Sequence, residues 1–147
     1  MIAPASVRVF LSFDVEHDGD LGDRLCDQSQ RRGSGFSVAS RSETGVMSDR
    51  WQAGVRRRMR SADEIIVICG EHTAASERMN AELRIAGEEQ KPYLLLWGRR
   101  ERMCSMPAGV KRTAVMYSWT WETLVHLVAQ TLRDAQPVEI PENCKRR

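Results

Sequence analysis

The segment from Glu64 to Cys69 constrains the fold most, because it is an uninterrupted apolar run that ends in a turn signal. Its residues, Glu-Ile-Ile-Val-Ile-Cys, have the length of a strand, and Gly70 follows directly. Such a run is typical of a parallel strand that is covered on both faces. In open α/β sheets, ligands bind where these strands end and the chain enters the next helix. We therefore expect the functional site near Gly70.

The rest of the chain alternates strand and helix patterns around this segment. Strands are predicted at 7–13, 36–39, 64–69, 92–97 and 113–117. Helices are predicted at 21–30, 49–62 and 74–89, with a last one striped by Trp121, Leu124, Val125, Val128 and Leu132. Five strands that alternate with helices in 147 residues predict an α/β fold, a three-layer flavodoxin-like sandwich around a central, mainly parallel five-stranded sheet. We expect one domain over 1–135 and a flexible tail over 136–147.

Charge and cysteine usage argue against several classes of partner. The formal net charge is only +2, and the arginines at 56, 57, 58 and 60 fall on one predicted helix, so no nucleic acid partner is expected. The four cysteines show no metal-type spacing, which predicts free thiols and no metal site. The sequence shows no secretory signal and no membrane-length apolar run, so we expect a cytoplasmic protein without membrane contact.

Two common ligands of flavodoxin-like folds do not suit the strand ends. A flavin mononucleotide site uses a glycine- or serine-rich loop after strand one, whereas residues 12–17 here read Ser-Phe-Asp-Val-Glu-His and are acidic. A phosphoryl-accepting receiver domain needs an aspartate at the end of strand three, where this chain has Cys69. Neither function is expected.

Four segments of the sequence resemble a known family, the TIR-like domains of the Thoeris ThsB type. The resemblance extends over about residues 7–97 and is most specific around the turn after strand three. The segments are Val9-Phe-Leu-Ser-Phe-Asp14, Trp51-x-x-x-Val55-x-x-x-Met59-Arg60-x-x-Asp63, Ile66-Val-Ile-Cys-Gly-Glu-His-Thr73 and Glu82-Leu-x-Ile-Ala86.

The resemblance implies both a fold and a reaction. The family is flavodoxin-like, and its active members cleave the nicotinamide glycosidic bond of NAD, often forming a cyclic or conjugated ADP-ribose signal that reaches a separate effector after phage infection. The catalytic glutamate of TIR enzymes follows strand three in a pattern similar to Ser-x-x-Cys-x-x-Glu-Leu. Ser76, Met79, Glu82 and Leu83 occupy those places. Met79 departs from the cysteine, which we interpret as a packing change.

The chemistry of NAD cleavage is compatible with Glu82 as the catalytic residue. Nicotinamide leaves as a neutral molecule without a general acid, so one carboxylate beside the ribose suffices to stabilise the developing cation. NAD is then a substrate, and no bound cofactor is implied. Without the resemblance, the favoured interpretation of Glu82 is a helix-surface glutamate, one of several on this helix. We expect it to be partly exposed at the rim of a crevice, so that Glu82→Gln barely changes thermal stability.

Further substrate-binding candidates lie at the same strand ends. Phe13 and Asp14 follow strand one, where an aromatic ring and a carboxylate are able to contact a base and a ribose; Phe13 also suits the core. Gly70 opens the turn after strand three. His72 and Thr73 are expected to shape that turn and cap helix three, and Ser76 either contacts ligand or is an exposed helix serine.

Two other functions stay open at this point. One is a catalytically silent TIR-like interaction module that works by self-association, and the other is an enzyme similar to nucleoside deoxyribosyltransferases. The sequence leaves open the product, a phage-derived trigger, the oligomeric state and whether the enzyme is active without a trigger.

Overall fold

The computed structural model describes residues 6–135, which form a single five-stranded sheet between two layers of helices. All pairs of neighbouring strands are parallel, in the order β2-β1-β3-β4-β5. The strands are β1 (Val7–Ser12), β2 (Phe36–Arg41), β3 (Glu64–Cys69), β4 (Tyr93–Trp97) and β5 (Met116–Ser118). The helices are α1 (Val15–Ser29), α2 (Asp49–Arg60), α3 (Glu77–Glu88) and α4 (Trp121–Ala135). The predicted α/β fold is confirmed, and the predicted tail at 136–147 lies outside the described residues.

The continuous apolar runs of the central strands are explained by cover on both faces. Every residue of β3 is buried, and its side chains alternate between two cores, as those of a strand must. Ile66 and Ile68 pack with residues of α1 and α4. Ile65 and Val67 pack with residues of α2 and α3. The prediction that β1, β3 and β4 are parallel neighbours is confirmed.

The bounds of most elements differ from the prediction by one to three residues, and those of two elements need an explanation. Helix α1 begins at Val15 rather than at 21, because the Asp14 carboxylate accepts hydrogen bonds from the backbone N–H groups of Glu16 and His17 and so caps a polar first turn. The backbone leaves helical geometry at Asp18, where φ is −124° and ψ is 24°. Strand β5 covers only Met116–Ser118 instead of 113–117, and its weak alternation gave little signal.

Candidate active site

Glu82 lies at the carboxyl ends of β1 and β2, where it is held by two serine hydroxyls. Its side chain projects from α3, and the residue is only 1% exposed, so the expectation of a partly exposed carboxylate is wrong. Ser12, the last residue of β1, donates a hydrogen bond from Oγ to Glu82 Oε1 at 2.8 Å. The Oγ of Ser42, directly after β2, lies 2.8 Å from Oε1 and 3.0 Å from Oε2. The acid is thus enclosed by strand ends rather than set at a rim.

The surroundings of Glu82 act on its charge in opposite directions. Burial disfavours the carboxylate and raises its pKa to about 7, while the hydrogen bonds from Ser12 and Ser42 and the charges of Arg78 and Arg58 lower it. Burial has the larger effect. Near neutral pH, both the acid and the carboxylate are therefore populated.

Two arginines hold the segment between β2 and α2 in place at the carboxyl ends of the strands. The Arg58 guanidinium on α2 pairs with the Glu43 carboxylate at 3.1 Å. On α3, Arg78 donates from Nη2 to the Gly45 carbonyl oxygen at 2.6 Å, and its guanidinium lies over the Trp51 ring at 5.5 Å. Because Ser42 belongs to this segment, these contacts also hold the hydroxyl against Glu82.

An open cavity of about 540 Å³ lies beside this segment. It is formed by the start of α1, the segment after β2 and the turn before α3. Asp14, His72 and Ser76 line it, so three of the predicted site residues are brought together there. Its other walls are Val15, Glu16, His17, Thr44, Gly45, Met47, Ala75, Glu77 and Arg78.

Asp14 and two histidines form a connected group at the cavity. The Asp14 carboxylate caps α1 through Oδ1, and its Oδ2 lies 2.9 Å from His17 Nδ1. The hydrogen bond to Asp14 raises the pKa of His17. The His17 ring also stacks on the His72 ring, with centroids 3.9 Å apart. This pair joins the start of α1 to the turn after β3.

The turn after β3 is shaped by Thr73, as predicted, but a different residue caps the helix that follows. Thr73 is fully buried and accepts a hydrogen bond through Oγ1 from the Gly70 N–H at 2.7 Å. Helix α3 is capped by Ser76, whose Oγ accepts from the Met79 N–H at 3.2 Å, so the expectation that His72 and Thr73 cap it is wrong. A Cβ on Gly70 would lie 2.1 Å from Asp18 Oδ2. This glycine is needed for close packing against α1.

Phe13 belongs to the core and does not line the cavity. It is 1% exposed and packs in the cluster between the sheet and α1. Its ring atoms would meet a Cβ on Gly22 at 2.7 Å, and the Arg41 guanidinium lies 5.0 Å from its centroid. A role in stacking on a substrate ring stays a prediction.

Five side chains of the site were not among the predicted site residues. Ser12 and Ser42 donate hydrogen bonds to Glu82. Arg58 and Arg78 contact the segment beside it, and His17 lines the cavity. A faint signal existed for His17, because it follows Asp14 by three residues, the spacing of neighbours on a helix. Ser42 lies in a polar stretch that gave no pattern.

A larger cavity, of about 690 Å³, lies elsewhere, between the end of α3 and β5. Its described walls include Lys91, Tyr93 and Tyr117 but no aspartate, glutamate or histidine. It therefore offers no acid for chemistry at a sugar. Within residues 6–135, no group of three His, Cys, Asp or Glu side chains is placed to hold a metal ion, and none of the helices there has the length and apolarity to cross a membrane.

The parallel sheet of order β2-β1-β3-β4-β5 with helices on both faces defines an α/β domain, and the comparisons with known proteins identify it as TIR-like. A solved structure titled "Crystal Structure of a prokaryotic SEFIR domain" superimposes with a TM-score of 0.51 at 16% identity, covering 92% of this chain and 100% of that one. The family model described as "Thoeris protein ThsB, TIR-like domain" matches residues 10–101, which is more than half of the chain. This chain belongs to the Thoeris ThsB TIR-like family, as its sequence resemblance indicated. No curated protein matches the sequence.

Proposed function

We propose that this protein is an NAD-consuming enzyme of anti-phage defence that cleaves the nicotinamide glycosidic bond and makes an ADP-ribose-derived signal for a separate effector. Membership of the ThsB family implies the setting in Thoeris defence. The observation that carries the chemical part is the Glu82 carboxyl group, which Ser12 and Ser42 hold at the carboxyl edge of the sheet, on a helix whose first turn lines an open cavity.

Glu82 acts in its carboxylate form in this proposal. As the bond to nicotinamide breaks, positive charge grows on the ribose, and a negative group in a site that excludes water stabilises it strongly. The pKa of Glu82 is raised to about 7, so the fraction of active carboxylate increases as the pH rises through 7. We therefore expect the rate of NAD cleavage to increase over the same range.

Access to Glu82 requires movement in this proposal. The residue is 1% exposed and does not line the cavity, whose walls include Thr44, Gly45 and Met47 of the segment after β2. The contacts of Glu43 with Arg58 and of Gly45 with Arg78 hold that segment in place. An enzyme that stays idle until a phage-derived trigger displaces the segment fits this arrangement.

A catalytically silent interaction module is the second candidate, and the burial of Glu82 favours it. An acid that never meets a substrate would serve only to join α3 to the ends of β1 and β2. The two candidates differ in one property, which is whether the segment after β2 ever uncovers the acid.

The test measures nicotinamide release by purified protein, alone and with lysate from phage-infected cells. Wild type is compared with Glu82→Gln and with Glu88→Gln, a change of an exposed carboxylate on the same helix. We expect release by wild type and Glu88→Gln and a loss of at least about a hundredfold in Glu82→Gln. Release by all three proteins would refute the role of Glu82. Release by none under any trigger would favour the silent module.

A further inference from the structure

The hydroxyl group of Ser42 has a fixed orientation. Ser42 is only 4% exposed, and its backbone N–H donates to the Leu11 carbonyl oxygen at 2.9 Å. Its Oγ also accepts a hydrogen bond from the Phe13 N–H at 3.2 Å. These two bonds hold the residue against the end of β1. Its hydroxyl proton has two acceptors in reach, and the Glu82 carboxyl group at 2.8 Å is much nearer than the Leu11 carbonyl oxygen at 3.4 Å.

The two serines do not have equivalent contacts with Glu82. Ser12 reaches Oε1 alone, whereas Ser42 lies within hydrogen-bond distance of both oxygens. The charged groups that act on the carboxyl group are Arg78 of its own helix and Arg58 of α2. The nearest acid on the covering segment, Glu43, is paired with Arg58. Ser12 and Ser42 are therefore both neutral donors that favour the carboxylate over the protonated acid. Ser42 is the one that belongs to the covering segment and reaches either oxygen.

We propose that Ser42 is a positioning residue that orients the Glu82 carboxyl group and sets the pH range in which this group carries its negative charge. The catalytic consequence rests on the proposed function, but the effect on ionisation does not. When Ser42 is replaced by alanine, the burial of Glu82 persists while one charge-assisted hydrogen bond is lost. The carboxylate then forms only at higher pH.

The experiment follows Glu82 through protein stability, which needs no substrate. Unfolding free energies are measured between about pH 5 and about pH 9 for wild type against Glu82→Gln, and for Ser42→Ala against the double variant with Glu82→Gln. The difference in unfolding free energy within each pair depends on pH mainly through Glu82. The pH above which this difference stops changing, here called the upper limit, marks the pKa of Glu82 in the folded state. We expect Ser42→Ala to move that limit upward by about one pH unit.

Three further variants separate ionisation from simple packing. Ser42→Thr keeps the hydroxyl and should retain the wild-type limit, whereas Ser42→Cys keeps the volume with a weaker donor and should move it upward. Ser42→Cys also carries the test if Ser42→Ala does not fold. The control is Ser34→Ala, because Ser34 is equally buried but donates to the Ser29 carbonyl oxygen. It should leave the limit unchanged.

The outcomes distinguish this inference from the proposed function. An unchanged limit in both Ser42→Ala and Ser42→Cys would overturn the role of Ser42. A shifted limit together with an equal shift in the pH profile of nicotinamide release would support both claims. A shifted limit without nicotinamide release from any protein would support the role of Ser42 and overturn the proposed function.

Discussion

Two buried glutamates at opposite edges of the sheet have almost the same burial but different surroundings. Glu82 lies at the carboxyl edge and Glu64 begins β3 at the amino edge, and each is 1% exposed. Burial raises the pKa of both acids to about 7. The Oε2 atom of Glu64 has no hydrogen-bond partner among the described residues, whereas both oxygens of Glu82 are bonded to serine hydroxyls.

The comparison teaches that a raised pKa alone does not identify an active site. Besides burial, Thr131 on α4 lowers the pKa of Glu64 and the neighbouring Asp63 raises it. Neither glutamate lines the cavity beside Asp14. Glu82 combines the same burial with two serine donors and the charges of two arginines, and the first turn of its helix lines the cavity. It is this combination of features that favours a chemical role for Glu82.

The largest expected effect is a difference in enzymatic activity between the glutamine variants of the two acids. Under an activating condition, Glu82→Gln should reduce nicotinamide release by at least about a hundredfold, because the amide keeps the shape but loses the negative charge. Glu64→Gln should retain most of the activity, since it lies at the opposite edge. Measured rates of nicotinamide release decide this, and equal losses in the two variants would remove the distinction between them.

The second prediction concerns stability, where the two acids should behave alike. Each has a pKa raised from 4.5 to about 7 in the folded protein, so its stabilising contribution is complete below about 4.5 and is lost as the pH rises through 7. Neither glutamine variant titrates. Relative to wild type, each should therefore gain up to about 3 kcal/mol of stability between pH 5 and pH 8.

Chemical denaturation at several pH values tests this second prediction. It replaces the sequence-based expectation that Glu82→Gln barely changes thermal stability, which assumed a partly exposed carboxylate. A difference from wild type that stays constant with pH would contradict the raised pKa of that acid.

The third prediction tests how tightly the carboxyl edge is packed. Gly70→Ala would place a Cβ 2.1 Å from the Asp18 carboxylate, which Arg99 holds at 3.1 Å, so we expect a loss of about 1–3 kcal/mol in unfolding free energy. The control is Gly54→Ala in α2, where a Cβ meets nothing within 4 Å. That change should stabilise the helix by up to about 1 kcal/mol. Similar effects of both changes would refute close packing at Gly70.

The smallest effect is expected for an exposed acid on the helix that carries Glu82. Glu88 pairs with Arg56 at 3.1 Å and with Arg84 at 2.9 Å, and 41% of its side chain is exposed. Because exposed ion pairs contribute little, Glu88→Gln should lower stability by less than about 1 kcal/mol. It should also leave nicotinamide release unchanged. A loss comparable to that of Glu82→Gln would point to α3 as a whole rather than to one residue.

Much of the fold was predictable because its signals are local. Apolar runs of strand length predict the buried strands, and Gly70 indicates where β3 ends. The start of α1 was missed because Asp14 caps a turn made of polar residues, which reads as a loop. Strand β5 was misplaced because it has only three residues.

The environment of Glu82 was not predictable because its contacts are distant in sequence. The position of the acid followed from the family resemblance, but its hydroxyl partners stand 70 residues away at Ser12 and 40 residues away at Ser42. No periodicity reports such pairs. The burial of Glu82, the role of Ser42 and the arginines that fasten the covering segment therefore required the folded structure.

The most direct test of the account identifies the nucleotide products of phage-infected cells by mass spectrometry. Cells carrying wild type, Glu82→Gln or Glu64→Gln are compared at matched protein levels after infection. The account predicts an ADP-ribose-derived product, linear, cyclic or conjugated, in cells with wild type and Glu64→Gln and none above background with Glu82→Gln. The same product at equal abundance with Glu82→Gln would contradict the claim that this buried acid carries out the chemistry.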